Sequence, residues 1–214
     1  KSLERLNLDK IDIYCLHRDN NDISVSEFID ALDEIKAEGL INKIGASNWK
    51  LERFKQARDF ALKENKEPFT ILSNNFSLAE MIDPVWPGCV AVDNNFLDYV
   101  NQNNIILFPW SSTARGFFIK KKEIATSDHF SNPSMDEEKR VWHSEANLKR
   151  RDICFNIAAE RSVEPIEIAL AYVIQSSKII FPLIGPRTIN ELNSSIFATS
   201  LNLTDAEIEQ LTIT

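Results

Sequence analysis

The sequence predicts a parallel α/β protein, and three observations carry that expectation. Short apolar, β-branched runs recur at residues 11–16, 41–44, 70–72, 105–108 and 179–184. Helical periodicity fills the gaps, and the first four runs are spaced by about 30 residues, the repeat of a right-handed βαβ unit. The runs are apolar nearly throughout rather than alternating, as strands covered on both faces require.

The helices between them announce their ends. Ser24 and Glu27 have capping-box spacing and open a helix with Val25, Phe28, Ile29, Leu32 and Ile35 on one face. Gly39 stands where a glycine closes such a helix. Leu51, Phe54, Ala57, Ala61 and Leu62 repeat the pattern, as do Phe96, Leu97 and Val100. Pro165 suits the first turn of a helix carrying Ile168, Ala169, Tyr172 and Val173. The sequence has only five glycines, so each is expected to mark a backbone requirement. Residues 112–147 break the rhythm: the stretch is polar and too long for an ordinary connection. It reads equally as a lid or as a solvated excursion. No linker rich in Pro, Gly or Ser interrupts the chain, which predicts one domain over 1–214.

Composition narrows the function classes. With 43% hydrophobic and 26% charged residues in 214, a disordered or fibrous chain is excluded. A net charge of −8 argues against nucleic acid or an anionic membrane as the main partner. No apolar run reaches the roughly 20 residues that span a bilayer. Three cysteines, Cys15, Cys89 and Cys154, are odd in number and set in apolar context, which predicts buried free thiols in a reducing cytoplasm.

Ligands of parallel α/β proteins meet the carboxyl ends of the strands. All five predicted strands end in polar or aromatic clusters: His17-Arg18-Asp19, Ser47-Asn48-Trp49, Ser73-Asn74-Asn75, Trp110-Ser111-Ser112 and Gly185-Pro186-Arg187-Thr188. The signatures of Rossmann, P-loop, H-E-x-x-H and C-x-x-C sites are missing, and no metal site is expected. Thr188 and Glu191 have a second capping-box spacing, and a helix N-terminus beside the Arg187 fork suits a phosphate. Gly185 permits close backbone approach. The competing reading is that Thr188 only caps and Arg187 faces solvent. Strand alternation puts His17 on the face of Ile11, Ile13 and Cys15, with Tyr14 on the other. A lone histidine there is either a catalyst or a satisfied structural group; His129 and His143 fall in the polar excursion.

Taken in order, 12–18, 39–49, 108–112 and 184–188 resemble the aldo-keto reductases, and Asn75-Phe-Ser-Leu-Ala with 112–118 is similar to their bacterial, NADP-dependent branch. The resemblance runs the length of the chain. It implies a (β/α)8 TIM-type barrel, here about five βα units corresponding to strands 4 to 8, and NADPH-dependent reduction of aldehydes or ketones to alcohols without metal. It implies that His17 orients the carbonyl and that Ser47 and Asn48 bind the nicotinamide carboxamide, with Ser73 standing where many members carry glutamine. It places Trp110 where an aromatic ring stacks on the nicotinamide. Ser111, Arg115 and Gly116 fall in the pyrophosphate segment, and Gly185, Arg187, Thr188 and Glu191 in the segment for the 2′-phosphate and adenine. Trp49 would line the substrate pocket.

The resemblance also implies that the acid–base tyrosine, with its aspartate and lysine, belongs to strands preceding Lys1. The 214 residues alone are then expected to be inactive, with two exposed sheet edges open to self-association. A non-catalytic nicotinamide-nucleotide-binding regulatory module of the same fold is the alternative. A barrel hydrolase using His17 and Asp19 is weaker, because no paired carboxylates end the other strands.

Overall fold

A computed structural model describes residues 1–119 and 135–212. The centre of the polar excursion, residues 120–134 with His129, lies outside the described residues, and with it the choice between lid and surface excursion. The chain forms two compact units, Lys1–Asn74 with Val92–Phe108, and Asn75–Ala91 with Pro109–Thr214.

The first unit is a parallel sheet of β1 (Ile11–Leu16), β2 (Ile41–Ser47), β3 (Ile71–Ser73) and β4 (Ile106–Leu107), in that order. After the short α1 (Ser2–Leu6), the connecting helices are α2 (Val25–Ala37), α3 (Leu51–Lys63) and α4 (Asn94–Gln102). Four of the expected strands are therefore present, in parallel register, with Cys15 opposite Gly45 and Ser47 opposite Ser73. The predicted caps form. Ser24 Oγ accepts from Glu27 N at 3.3 Å while Glu27 Oε1 accepts from Ser24 N at 3.4 Å. Gly39, at φ +78°, closes α2: its N–H donates to Lys36 O and that of Leu40 to Ile35 O, the paired bonds of a Schellman turn.

Between helices and sheet runs a chain of rings, Phe28 to Trp49, Trp49 to Phe69, Phe69 to Phe54 and Phe54 to Phe96, with centroids 5.3 to 6.0 Å apart. Such pairs add about 0.5–1.5 kcal/mol each beyond the area they bury. On the sheet itself the tightest point is Gly45. A Cβ there would lie 2.7 Å from both Cys15 Sγ and Ile71 O and 2.8 Å from Ile71 Cβ. Burial pushes the Cys15 thiol up to about 11. Cys15 is half-buried rather than buried as expected; Cys89 and Cys154 are buried, and all three are free.

The second unit contains α5 (Met135–Trp142), α6 (Glu145–Arg161), α7 (Pro165–Gln175), α8 (Ile189–Ala198) and α9 (Asp205–Thr212). Pro165 begins α7 as expected, and Ile168, Ala169 and Val173 are buried along its face. Phe117, Phe118, Trp142, Cys154, Ile157 and Ile168 form its core. Asn147, fully buried, ties three segments together. Its carboxamide oxygen accepts from Glu80 N (2.8 Å) and an Arg150 guanidinium nitrogen (3.1 Å), and its Nδ2 donates to Glu80 O and Trp142 O, both at 2.8 Å.

The fifth predicted strand, 179–184, is a correction. Only an isolated bridge residue, Ile180, is formed there rather than a strand, and Phe181 and Leu183 are 51% and 50% exposed. Leu183 N donates to Pro109 O at 2.9 Å. A parallel ladder would next require an N–H from residue 109, and proline has none.

Two measurements check these packing claims. Gly45→Ala is expected to destabilise by about 1–3 kcal/mol, the usual cost of overpacking, in chemical denaturation. Glu207, held by Arg161 at 2.6 and 2.5 Å and by Thr204, has its carboxyl lowered to about 2. Its folded pKa lies below the ordinary 4.5, so its contribution is present above that value and lost as pH falls toward 2. Stability measured from pH 5 to 2 should therefore fall less steeply in Glu207→Gln.

Candidate active site

In the first unit, the site is built where β1, β2 and β3 end. His17 follows the last residue of β1 and is exposed. Ser47 closes β2 and is buried; its Oγ donates to Ser73 O at 2.6 Å and accepts from Asn48 Nδ2 at 2.9 Å. Ser73 thus acts through its main chain, holding Ser47. Asn48 takes a left-handed backbone, φ +59°, a conformation Asn tolerates better than most residues.

That conformation is fixed by a residue outside the predicted site. Asn74 is 0% exposed, accepts from Asn48 N at 2.6 Å and donates from Nδ2 to Trp49 O at 2.8 Å. Its signal is visible in the sequence, since strand alternation gives it the parity of the buried Leu72, where a polar side chain needs a dedicated partner.

Trp49 is corrected. Expected to line a substrate pocket, it is 0% exposed, with Phe28 and Phe69 edge-on at 5.4 and 5.3 Å. A side chain with no free surface cannot wall an open pocket, and Trp49 belongs to the core.

In the second unit, Trp110 is half-buried. Its carbonyl accepts from Asn75 Nδ2 at 3.0 Å, and its ring is 6.5 Å from Trp86. The Trp110 indole N–H is buried with no hydrogen-bond partner among the described residues. Left-handed backbone recurs immediately after it, at Ser111 (φ +51°), Ala114 (φ +49°), Arg115 (φ +52°) and Gly116 (φ +92°). At the three non-glycine positions such strain costs about 1–3 kcal/mol per residue and concentrates at ligand sites. The Arg115 guanidinium lies 5.0 Å from the Trp86 ring centroid and 3.7 Å from Glu137.

At the start of α8, Thr188 Oγ1 accepts from Glu191 N at 3.2 Å, as predicted. The Glu191 carboxylate, however, takes the Arg187 N–H (2.6 Å) and a guanidinium nitrogen (2.8 Å). These Arg187 bonds, side chain before main chain, hold the Glu191 carboxyl below its ordinary range. Gly185, Arg187 and Thr188 are exposed, and nothing lies within 4 Å of where a Gly185 Cβ would stand. The tyrosines are elsewhere: Tyr14 within β1, Tyr99 in α4 and Tyr172 in α7.

A parallel βα framework with polar side chains at the carboxyl ends of its strands defines a parallel α/β protein. Comparison with known proteins gives the family. The aldo/keto reductase family model matches residues 1–214, and the chain belongs to that family. It is 28% identical over 218 residues to the probable aryl-alcohol dehydrogenase of Saccharomyces cerevisiae, covering 98% of this chain and 61% of that protein. It is 23% identical to norsolorinic acid reductase A of Aspergillus parasiticus, covering 98% of this chain and 50% of that protein.

Among solved structures it is similar to the glycerol dehydrogenase of Gluconobacter oxydans (TM-score 0.74, 20% identity, 98% of this chain and 60% of that one). It is also similar to a thermostable aldo-keto reductase solved with the inhibitor epalrestat (TM-score 0.69, 19% identity, 98% and 62%). These likenesses show the fold, part of a (β/α)8 barrel. The chain spans half to about two-thirds of the length of these proteins. Among the described residues, no helix is long and apolar enough to cross a membrane.

Replacing Asn74 tests the strand-end clamp. Asn74→Asp keeps an acceptor for Asn48 N but sets a buried carboxyl against Trp49 O, which either strands a charge or must protonate to replace the lost donor. We expect a loss of about 1–3 kcal/mol in urea unfolding, with Asn74→Ala at least as damaging.

Proposed function

We propose that this chain carries the nicotinamide-nucleotide site of an NADPH-dependent carbonyl reductase that converts aldehydes or ketones to alcohols. Arg187 at the Thr188-capped N-terminus of α8 carries the reading: an exposed guanidinium, paired with Glu191, at a helix N-terminus suits a terminal phosphate. Family membership supports oxidoreductase chemistry, and relatives named as aryl-alcohol dehydrogenase and norsolorinic acid reductase point to small carbonyl compounds and alcohols.

Residues in each unit, taken separately, have chemistry suited to the cofactor. Trp110 offers a half-buried ring for stacking and a buried indole N–H in want of an acceptor. Ser47 and Asn48 form a fixed pair of polar side chains suited to a carboxamide, with the Ser73 carbonyl holding Ser47 in place. Ser111, Arg115 and Gly116 supply the turn expected at the pyrophosphate; Gly185 and Glu191 flank the 2′-phosphate segment. When bound, NADPH supplies hydride. His17, exposed at the end of β1, then holds the carbonyl in line by hydrogen bonding.

The 214 residues by themselves bind the nucleotide and do not reduce a carbonyl, because Tyr14, Tyr99 and Tyr172 sit within a strand or helices rather than at a strand end. That placement also favours a second reading, a non-catalytic nucleotide-binding module. Cysteines outside any disulfide support a cytoplasmic setting.

Fluorescence titration with NADPH and NADH at matched salt tests the site. NADPH should bind more tightly, and Arg187→Ala should weaken it roughly ten- to hundredfold, the range of one charged hydrogen bond, while leaving NADH nearly unchanged. Equal binding of the two nucleotides by the unmodified chain overturns the assignment of Arg187. Aldehyde-dependent NADPH oxidation by the same sample would overturn the predicted inactivity.

A further inference from the structure

We infer that Arg53 is a positioning residue that fixes the His17 segment and locks it to the turn carrying Ser47 and Asn48; its functional meaning rests on the reading of His17 given above. Arg53 lies on the first turn of α3, and its side chain is 16% exposed. Its Nε reaches both carboxylate oxygens of Asp19, at 3.1 and 3.3 Å, two residues beyond His17. One terminal nitrogen donates to the carbonyls of Asn20, at 3.1 Å, and Ile23. One guanidinium therefore gathers three points of the 17–24 connection, immediately ahead of the Ser24 cap of α2.

The same guanidinium lies 5.5 Å from the Trp49 ring centroid. Trp49 follows Asn48 directly and is immobilised by Phe28, Phe69 and the Asn74 bond to its carbonyl. Arg53 is thus anchored on the most rigid part of the β2–α3 turn and reaches from it to the β1–α2 connection. His17 is itself exposed, so the restraint on its position falls to the segment that carries it. A group that must hold a carbonyl in line needs its supporting shell to limit it to about 0.5 Å. The Asp19–Arg53 pair, with partners 11% and 16% exposed, is sheltered enough to supply that restraint.

The test uses the 214-residue chain and reads His17 itself. The sequence holds three histidines, so His17→Gln identifies the His17 backbone amide signal in NMR. Arg53→Ala is expected to move that signal toward the position of an unstructured chain and to raise amide exchange over 17–24 by about tenfold or more, with strands β2 and β3 unchanged. Arg53→Lys keeps the charge but not the fork and should fall between. If Arg53→Ala fails to fold, Asp19→Asn removes the charge pair at constant size and carries the same readouts.

An unmoved His17 signal overturns the proposal. So does exchange that rises equally across the sheet, since that is general loss of stability. The cofactor titration is independent: failure of the unmodified chain to bind NADPH overturns the proposed function and leaves the clamp to be judged on the His17 signal.

Discussion

The carboxamide of Asn74 is the constraint on which the strand ends of the first unit depend. A parallel ladder ends because its chains diverge into helices, and the backbone groups just past the last rung then have no partner. Asn74 supplies both missing bonds from one side chain, accepting from Asn48 N and donating to Trp49 O. The β2–β3 pairing is thereby extended beyond Ser47 and Ser73. The left-handed turn at Asn48 follows from it, and the Trp49 ring drops into the aromatic chain over the sheet. With that ring fixed, Arg53 has a rigid neighbour from which to hold the segment after His17. The polar geometry of the site is thus inherited from a buried amide that contacts no proposed ligand.

The second unit uses the same device. Asn147 is fully buried and satisfies Glu80 N, Glu80 O and Trp142 O, while its oxygen also receives Arg150. A buried amide with every group paired specifies a unique arrangement, because any competing one strands a polar atom at low dielectric. In both units the sequence spends a costly residue where loops must be fixed rather than where helices or strands must form.

Much of the architecture was legible because it depends on local chemistry. The Ser24–Glu27 cap, the Gly39 terminus, Pro165 at the head of α7 and the Thr188 cap are contacts between near neighbours, and each appears as expected. The strand at 179–184 failed for a non-local reason: apolar, β-branched composition permits a strand, but pairing needs a partner with N–H groups, and Pro109 lacks one. Trp49 misled for a similar reason. Its position after a strand-end Ser-Asn pair suggested a pocket, yet the left-handed residue before it turns the ring into the core. Asn74 was legible in principle, since its parity with Leu72 marks a buried polar group, but a parity argument does not say which backbone atoms it serves.

On the proposed reading of Arg187, Glu191 bears on what that arginine recognises. The Glu191 carboxylate accepts from both the main-chain N–H and the guanidinium of Arg187, and those bonds hold its carboxyl below the ordinary range. An incoming group must replace those bonds, so its affinity is the difference between two anions competing for one fork. A neutral hydroxyl offers Arg187 less than a carboxylate does and has little means of displacing it. A phosphate monoester, carrying nearly two charges and three acceptor oxygens, offers more. An arginine already engaged by a glutamate is therefore a more selective reader of a terminal phosphate than a free one.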